Sequence, residues 1–238
     1  PRQDPRLSDT PTGVPQELRD KSISHALYLE RLKSSEANNV RAQLNRAFSD
    51  VTDRIESRLR RIRERGFDTG PETTRRLREL QQGIREILSP AYSDTLDSQQ
   101  DRLQEIAKSE AQWQSGAINQ AVGVSLDMTL PNEAQLREIV RSRPFQGRLL
   151  RDWYNDLESS QRQRLTEAVR LGLTEGETND QIVRRIRGTR AAGYTDGVME
   201  IGRRQAEAVT RTAINHVSSN ARSELFRQND RVVKRVSW

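Results

Sequence analysis

The apolar residues between positions 40 and 62 follow a spacing that suits a long helix. Successive members lie 4, 4, 3, 4, 4 and 3 residues apart. They are Val40, Leu44, Phe48, Val51, Ile55, Leu59 and Ile62. The repeat of eleven residues corresponds to about 3.67 residues per turn, so the apolar stripe stays nearly straight along a helix. The pattern therefore predicts a long helix that buries one narrow face.

A second stretch of helical spacing follows a turn signal. Two glycines and a proline in GFDTGP, residues 66–71, are typical of one helix ending and another beginning. Apolar residues at helical spacing then continue to Trp113, and Pro90 is expected to kink this helix or to divide it in two. Together the two stretches predict a long antiparallel helical hairpin over residues 15–122. Residues 1–14, rich in Pro, Asp and Thr, are predicted to form an extended arm.

Residues 123–238 are predicted to form a smaller, mainly helical domain. One helix is expected after Pro131, a second in GRLLRDWYNDL and a third that ends at Gly176. Thr178 and Gln181 have the spacing of a capping box, which predicts the start of a fourth helix. The closing sequence VVKRVSW is rich in β-branched residues and predicts a short C-terminal strand. The expected fold class is all-α with that one strand.

The last predicted helix, within Ala206–Asp230, has an unusually thin apolar stripe. Its apolar residues recur every four positions and most are small: Val209, Ala213, Val217, Ala221 and Leu225. Because a helix has 3.6 residues per turn, this stripe drifts by about 40° at each step. The two ends of the helix must therefore face different neighbours, as in a connector packed among several elements.

The composition limits how large a core the chain can bury. Hydrophobic residues make up 33% of the 238 residues, and even with the 13 glycines the apolar share is below the roughly 45–50% of typical domains. A single compact core is not expected; the chain is expected to be elongated or to complete its core against other chains. No apolar run approaches the roughly 18 residues that span a bilayer, and no signal-peptide pattern opens the chain. The absence of cysteine excludes disulfides and thiolate metal sites.

Arginine dominates the basic residues. Only four of the 40 basic residues are lysine, and arginine suits bidentate pairing with carboxylates and phosphates; a genomic codon bias is the alternative explanation. The segment 54–65, RIESRLRRIRER, either forms a solvated face with ion pairs to neighbouring helices or contacts the backbone of duplex DNA. The candidate contact residues here and in the second basic segment are Arg54, Arg58, Arg61, Arg65, Arg184, Arg185 and Arg187.

No group of residues indicates catalysis. Asp68-Thr69-Gly70 matches the tripeptide of aspartic proteases, but its surroundings favour a turn between helices. His25 and His216 are far apart, and neither has a second ligand at metal spacing. We therefore predict no catalytic, cofactor-binding or metal-binding residue, no small-molecule substrate and no enzymatic activity.

Three segments of the second half of the chain follow the pattern of a known family: FQGRLLRDWYNDL, LTEGETNDQIVRRIRG and the stretch from RRQAEAVTRTAINHV to the final tryptophan. With these segments, residues 131–238 resemble the phage minor head proteins of the Mu F-like and SPP1 head-morphogenesis family. The positions that match the family pattern as structural residues are Arg211, Thr212, Asn215, Ala221 and Trp238. The resemblance does not extend to residues 1–130.

The resemblance implies a structural component of the virion of a tailed bacteriophage. Such a protein would lie in the head interior near the portal vertex, and in the host cytoplasm during assembly. It would act in head morphogenesis, and in genome packaging or ejection, with the portal protein, other copies of itself and the packaged double-stranded DNA as partners. Two alternatives stay open: a scaffold that binds duplex DNA through arginine-rich helices, and the helical front part of an enzyme or toxin whose catalytic region is absent.

Overall fold

The structure, a computed structural model, describes residues 14–64 and 71–232. Within these ranges the chain forms six helices: α1 Val14–Glu64, α2 Pro71–Val122, α3 Glu133–Arg141, α4 Leu150–Thr174, α5 Asn179–Arg187 and α6 Val198–Gln228. The same ranges contain no strand, only an isolated antiparallel bridge between Phe145 and Arg148. The all-α prediction is confirmed. The predicted C-terminal strand falls largely on residues 233–238, outside the described part.

The helices α1 and α2 lie antiparallel along their length. Near one end Lys21 donates a hydrogen bond of 2.7 Å to Gln120. Farther along, Arg102 binds Glu36 at 2.8 Å. The residues of the eleven-residue repeat are buried as predicted, each at most 5% exposed. The predicted turn at 65–70 and the predicted arm through residue 13 lie outside the described ranges.

Pro90 does not divide the second helix, so that alternative of the prediction is wrong. The helix α2 runs without interruption from Pro71 to Val122. Glu86, whose carbonyl would accept from an N–H at position 90, and Pro90 itself are both exposed. Water can therefore satisfy the backbone carbonyl that loses its N–H partner to the proline ring, which lowers the cost of the missing bond.

The second half of the chain follows the predicted order with one correction. The helix α3 begins after Asn132, whose side chain accepts a bond from the Gln135 backbone, and Thr178 caps α5 as expected. However, the two helices expected on either side of residue 160 form one helix, α4. The reason is Gln161, which is fully buried and occupies the core position between Leu157 and Leu165. Because this core position holds a polar residue, the spacing of the apolar residues did not predict one continuous helix.

The helix α6 is a connector, as its thin stripe predicts. It contacts each of the other five helices. It lies antiparallel to α1, where Lys33 donates to Asn215 at 3.0 Å. It lies parallel to α2, where Thr210 donates to Gln99 at 3.2 Å. The small side chains on α6 permit this packing because they leave room for the neighbouring helices to approach.

One buried hydrophobic cluster contains residues from all six helices. The expectation that no single core would form is therefore wrong. The physical reason is that α6 makes apolar contacts with helices on either side of it. The narrow apolar stripes of the six helices therefore pack into one core. The boundary at 122/123 coincides with the end of α2, but the cluster crosses it. The division into separate domains stays a prediction.

Candidate functional site

A buried carboxylate lies where α1, α2 and α6 meet. Glu110 of α2 is 2% exposed. Arg222 of α6 donates to its Oε2 from Nε at 2.9 Å and from Nη2 at 2.7 Å. His25 of α1 lies with Nε2 2.5 Å from the other oxygen, Oε1. Its ring stacks on Trp113 with 3.6 Å between the ring centroids. We refer to His25, Glu110, Trp113 and Arg222 as the Glu110 junction.

A cavity of about 460 Å³ adjoins the Glu110 junction between α1 and α6. Its walls are mostly apolar and include Leu18, Leu29 and Phe226. The Oγ of Ser218 is buried and has no hydrogen-bond partner within the described residues.

Two further buried glutamates tie α6 to its surroundings. Glu224 is bound by Arg227, and by Arg143 at 2.8 Å. These guanidinium groups, Arg227 first, lower the pKa of Glu224 to about 2, although burial opposes the shift. Glu200 is bound by Arg41 at 2.7 Å and by Arg203 at 3.4 Å. Burial works to raise the pKa of Glu200, but its arginine partners bring the pKa below the ordinary value.

Of the seven predicted arginine contacts, three form ion pairs and a fourth lies outside the described residues. Arg54 lies 3.7 Å from Glu86 and Arg58 lies 3.3 Å from Glu79. Arg185 binds Glu175 at 2.8 Å and also contacts Glu177. Arg65 lies outside the described residues. The predicted ion pairs with neighbouring helices are thus present at Arg54 and Arg58.

The other three predicted arginines leave their charges open to solvent. Arg61 and Arg184 are exposed and make no ion pair with another residue of the described ranges. The guanidinium of Arg187 lies 5.5 Å from the centre of the Tyr194 ring. Since α5 packs against α1, the two basic segments belong to adjacent helices.

Four of the five family-pattern residues lie on α6 and have different surroundings. Arg211 donates to Ser34 of α1 at 3.3 Å, and Asn215 accepts from Lys33. Thr212 donates to the Ala208 carbonyl at 2.9 Å. Ala221 is fully buried, whereas Trp238 lies outside the described residues.

Thr212 also lines a cavity of about 490 Å³ between α4 and α6. The side chain of Arg148 lies 4.9 Å above the Trp153 ring and binds Asp156 at 2.6 Å. The ring of Phe145 stacks on Trp153 with 5.9 Å between centroids. The segment FQGRLLRDWYNDL thus forms an aromatic wall that faces α6.

The two histidines have different surroundings. His25 belongs to the Glu110 junction. His216 lies 5.5 Å from the Phe145 ring, and burial lowers its pKa below the ordinary value. Within residues 14–64 and 71–232 no three or more His, Asp or Glu side chains form a group that could hold a metal ion. The Asp68-Thr69-Gly70 tripeptide lies outside these ranges.

The spacing of residues did not identify Glu110, Glu200 and Glu224 as buried charges. A signal was present at Glu110, because Leu103, Ile106, Glu110 and Trp113 continue one helical stripe with a charged residue in a core position. Its partner Arg222 could not be identified, since the two residues are 112 positions apart.

Comparisons of the chain with protein families, with curated proteins and with solved structures found no match. Within residues 14–64 and 71–232 no helix carries an apolar stretch that could span a bilayer.

Proposed function

We propose that this chain is a structural minor head protein of a tailed bacteriophage, associated with the portal in the head interior. Its role would be in head morphogenesis, with a part in genome packaging or ejection. The observation that carries the proposal is the resemblance of residues 131–238 to the Mu F-like and SPP1 head-morphogenesis family. The partners would be the portal protein and other copies of the chain.

The packing of α6 supports the proposal. This helix carries Arg211, Thr212 and Asn215, and it contacts α1 and α2 as well as the shorter helices. The segment that resembles the family and the long helical pair are therefore parts of one body. A subunit built in this way can transmit a contact at the long helices to the family segment without a flexible joint.

Exposed apolar side chains also support a role as a subunit. Ile23, Leu27 and Tyr28 on α1 are each more than half exposed, as is Val122 at the end of α2. Exposed apolar groups that lie close together mark surfaces that other proteins cover.

The decisive experiment is to look for the chain in purified particles. Mass spectrometry of density-purified heads should detect the chain, and its amount should fall when heads are assembled without the portal. A host protein of similar size serves as the control for trapped material. Absence of the chain from heads that contain the portal would refute the virion role.

A second candidate is a duplex-DNA-binding scaffold, favoured by the open charges of Arg61, Arg184 and Arg187. Binding through phosphates would weaken steeply with salt, and each lost contact would reduce the slope of log K against log salt by about 0.9. The triple variant with glutamine at these positions should have the shallower slope. Glutamine at the ion-paired Arg54 and Arg58 is the matched control. A flat salt response of the unaltered chain eliminates this candidate.

A further inference from the structure

The outward face of α1 near its first turns carries an uncovered apolar pair. Ile23 is 54% exposed and Leu27 is 57% exposed. The two lie one helical turn apart, on the side opposite the buried His25. The helix therefore buries one face against α2 and α6 and presents a second apolar face to the outside.

Four charged residues flank this pair in a regular arrangement. With about 100° of rotation per residue, Arg19 and Glu30 fall on one side of the pair, and Asp20 and Arg31 fall on the other. All four are exposed. Glu30 contacts Lys33, while the other three make no ion pair with any residue in the described ranges. We refer to these six residues, Arg19, Asp20, Ile23, Leu27, Glu30 and Arg31, as the outer stripe of α1.

The outer stripe is complementary to itself in one orientation. Consider two copies of α1 packed antiparallel about a two-fold axis near residue 25. Ile23 then meets Leu27 of the other copy, because the two positions are equally distant from the axis. Arg19 and Glu30 share a flank, six residues before and five residues after the axis, so Arg19 of one copy faces Glu30 of the other with an offset of about 1.5 Å along the helix. Asp20 and Arg31 share the opposite flank and face each other with the same offset.

The two-fold axis is perpendicular to the plane of the two antiparallel helices. It therefore places the flank with Arg19 and Glu30 beside the same flank of the other copy, and the flank with Asp20 and Arg31 beside its own counterpart. Opposite charges therefore meet at four places, two on each flank. A parallel pair in register would also bring opposite charges together, Arg19 beside Asp20 and Glu30 beside Arg31 of the other copy. The antiparallel pair is favoured because a parallel pair sets the positive N-terminal ends of the two helices side by side.

We propose that the outer stripe of α1 binds the outer stripe of a second copy of this chain, as an antiparallel helix pair with two-fold symmetry. Such an isologous contact needs a surface that complements itself, and the charge order supplies it. This proposal deepens the proposed function, because it identifies the surface through which copies of the chain meet. The contact depends only on α1 and not on the portal. Because the stripe is small, the pair should form at high protein concentration or where copies are held close together.

A charge exchange tests the pairing. Sedimentation equilibrium of the full chain should show a monomer–dimer equilibrium. Either Arg19→Glu or Glu30→Arg should weaken it by about tenfold, since like charges then meet twice. The double variant R19E/E30R should return to within about threefold of the unaltered chain. Arg46→Glu, at an exposed position farther along α1, is the matched control and should change nothing.

Cysteine pairs test the orientation, because the chain has no cysteine of its own. A mixture of Arg19→Cys and Glu30→Cys chains, treated with a short thiol-reactive linker, should give mainly 19-to-30 cross-links. A preference for 19-to-19 cross-links would overturn the antiparallel arrangement. A chain that stays monomeric at all concentrations, or a double variant that fails to restore pairing, would overturn the proposal. These results in solution are independent of whether the chain is found in phage heads, so the two proposals can fail separately.

Discussion

Arg222 donates two hydrogen bonds to a single oxygen of Glu110, at 2.9 and 2.7 Å, and so joins α6 to α2 across 112 residues of sequence. The other oxygen of Glu110 contacts His25 of α1. One buried carboxylate thus ties together the three longest helices of the described chain.

Removal of this carboxylate should destabilise the protein strongly. In Glu110→Gln the amide keeps the shape of the side chain but cannot neutralise Arg222, which stays partly buried. We expect the free energy of unfolding to fall by about 3 kcal/mol, measured by urea titration at pH 7. The control is Glu105→Gln, whose carboxylate is 67% exposed and should contribute less than about 1 kcal/mol. Equal losses in the two variants would contradict this account.

Stability should decline in acid because of Glu224. Its pKa in the folded state is about 2 against an ordinary value of 4.5. A lowered folded-state pKa stabilises the protein above pH 4.5, and this contribution is lost as the pH falls toward 2. At pH 7 it amounts to about 3 kcal/mol, from 1.36 kcal/mol per pKa unit.

The variant Glu224→Gln isolates that contribution. It should be less stable than the unaltered chain at pH 7, and the difference between them should shrink as the pH falls from 5 to 3. Urea titrations at several pH values measure both curves. A difference that stays constant over this range would show that the charge of Glu224 is not the cause.

Two glycines should respond in opposite ways to alanine. A Cβ at Gly197 would come within 2.3 Å of the Gly188 backbone nitrogen, whereas a Cβ at Gly116 would meet nothing within 4 Å. Gly197→Ala should therefore lower stability by about 2 kcal/mol, since backbone must move. Gly116→Ala should raise stability by about 0.5–1 kcal/mol through helix propensity. Thermal melts of both variants provide the comparison, and a stabilised Gly197→Ala chain would contradict the close approach.

Tyr92 should make the protein sensitive to alkali. Its side chain is buried, its hydroxyl has no hydrogen-bond partner within the described residues, and burial raises its pKa above the ordinary value of 10. A raised folded-state pKa means that the stability present below pH 10 is lost as the pH rises, because the unfolded chain ionises first. Tyr92→Phe should match the unaltered chain at pH 7 and exceed it above pH 10, by about 1.4 kcal/mol per pH unit at most. Parallel urea curves at pH 10.5 and pH 7 test this.

Spacing along the chain was sufficient to predict the helices that bury a regular stripe. The repeat from Val40 to Ile62 and the cap at Thr178 depend on residues within a few turns of one another, so they can be recognised locally. The predicted helix boundaries were wrong where a polar residue occupies a core position, and where solvent can satisfy a backbone carbonyl that proline leaves without an N–H partner. Gln161 is buried within α4, and Pro90 is exposed within α2.

The candidate sites divide in the same way. The amino-acid sequence alone shows that the chain is rich in arginine and has no cysteine, and it predicts helices with narrow apolar faces, because these properties do not depend on distant contacts. Which charges are neutralised depends on the packing of the helices: Arg54 and Arg58 form ion pairs with α2, whereas Arg61 and Arg184 form none within residues 14–64 and 71–232. The tertiary structure also brought His25, Glu110 and Arg222 to one point. Charge pairing and burial depend on which helix faces come together, and that choice is made by the packing of the whole chain around α6.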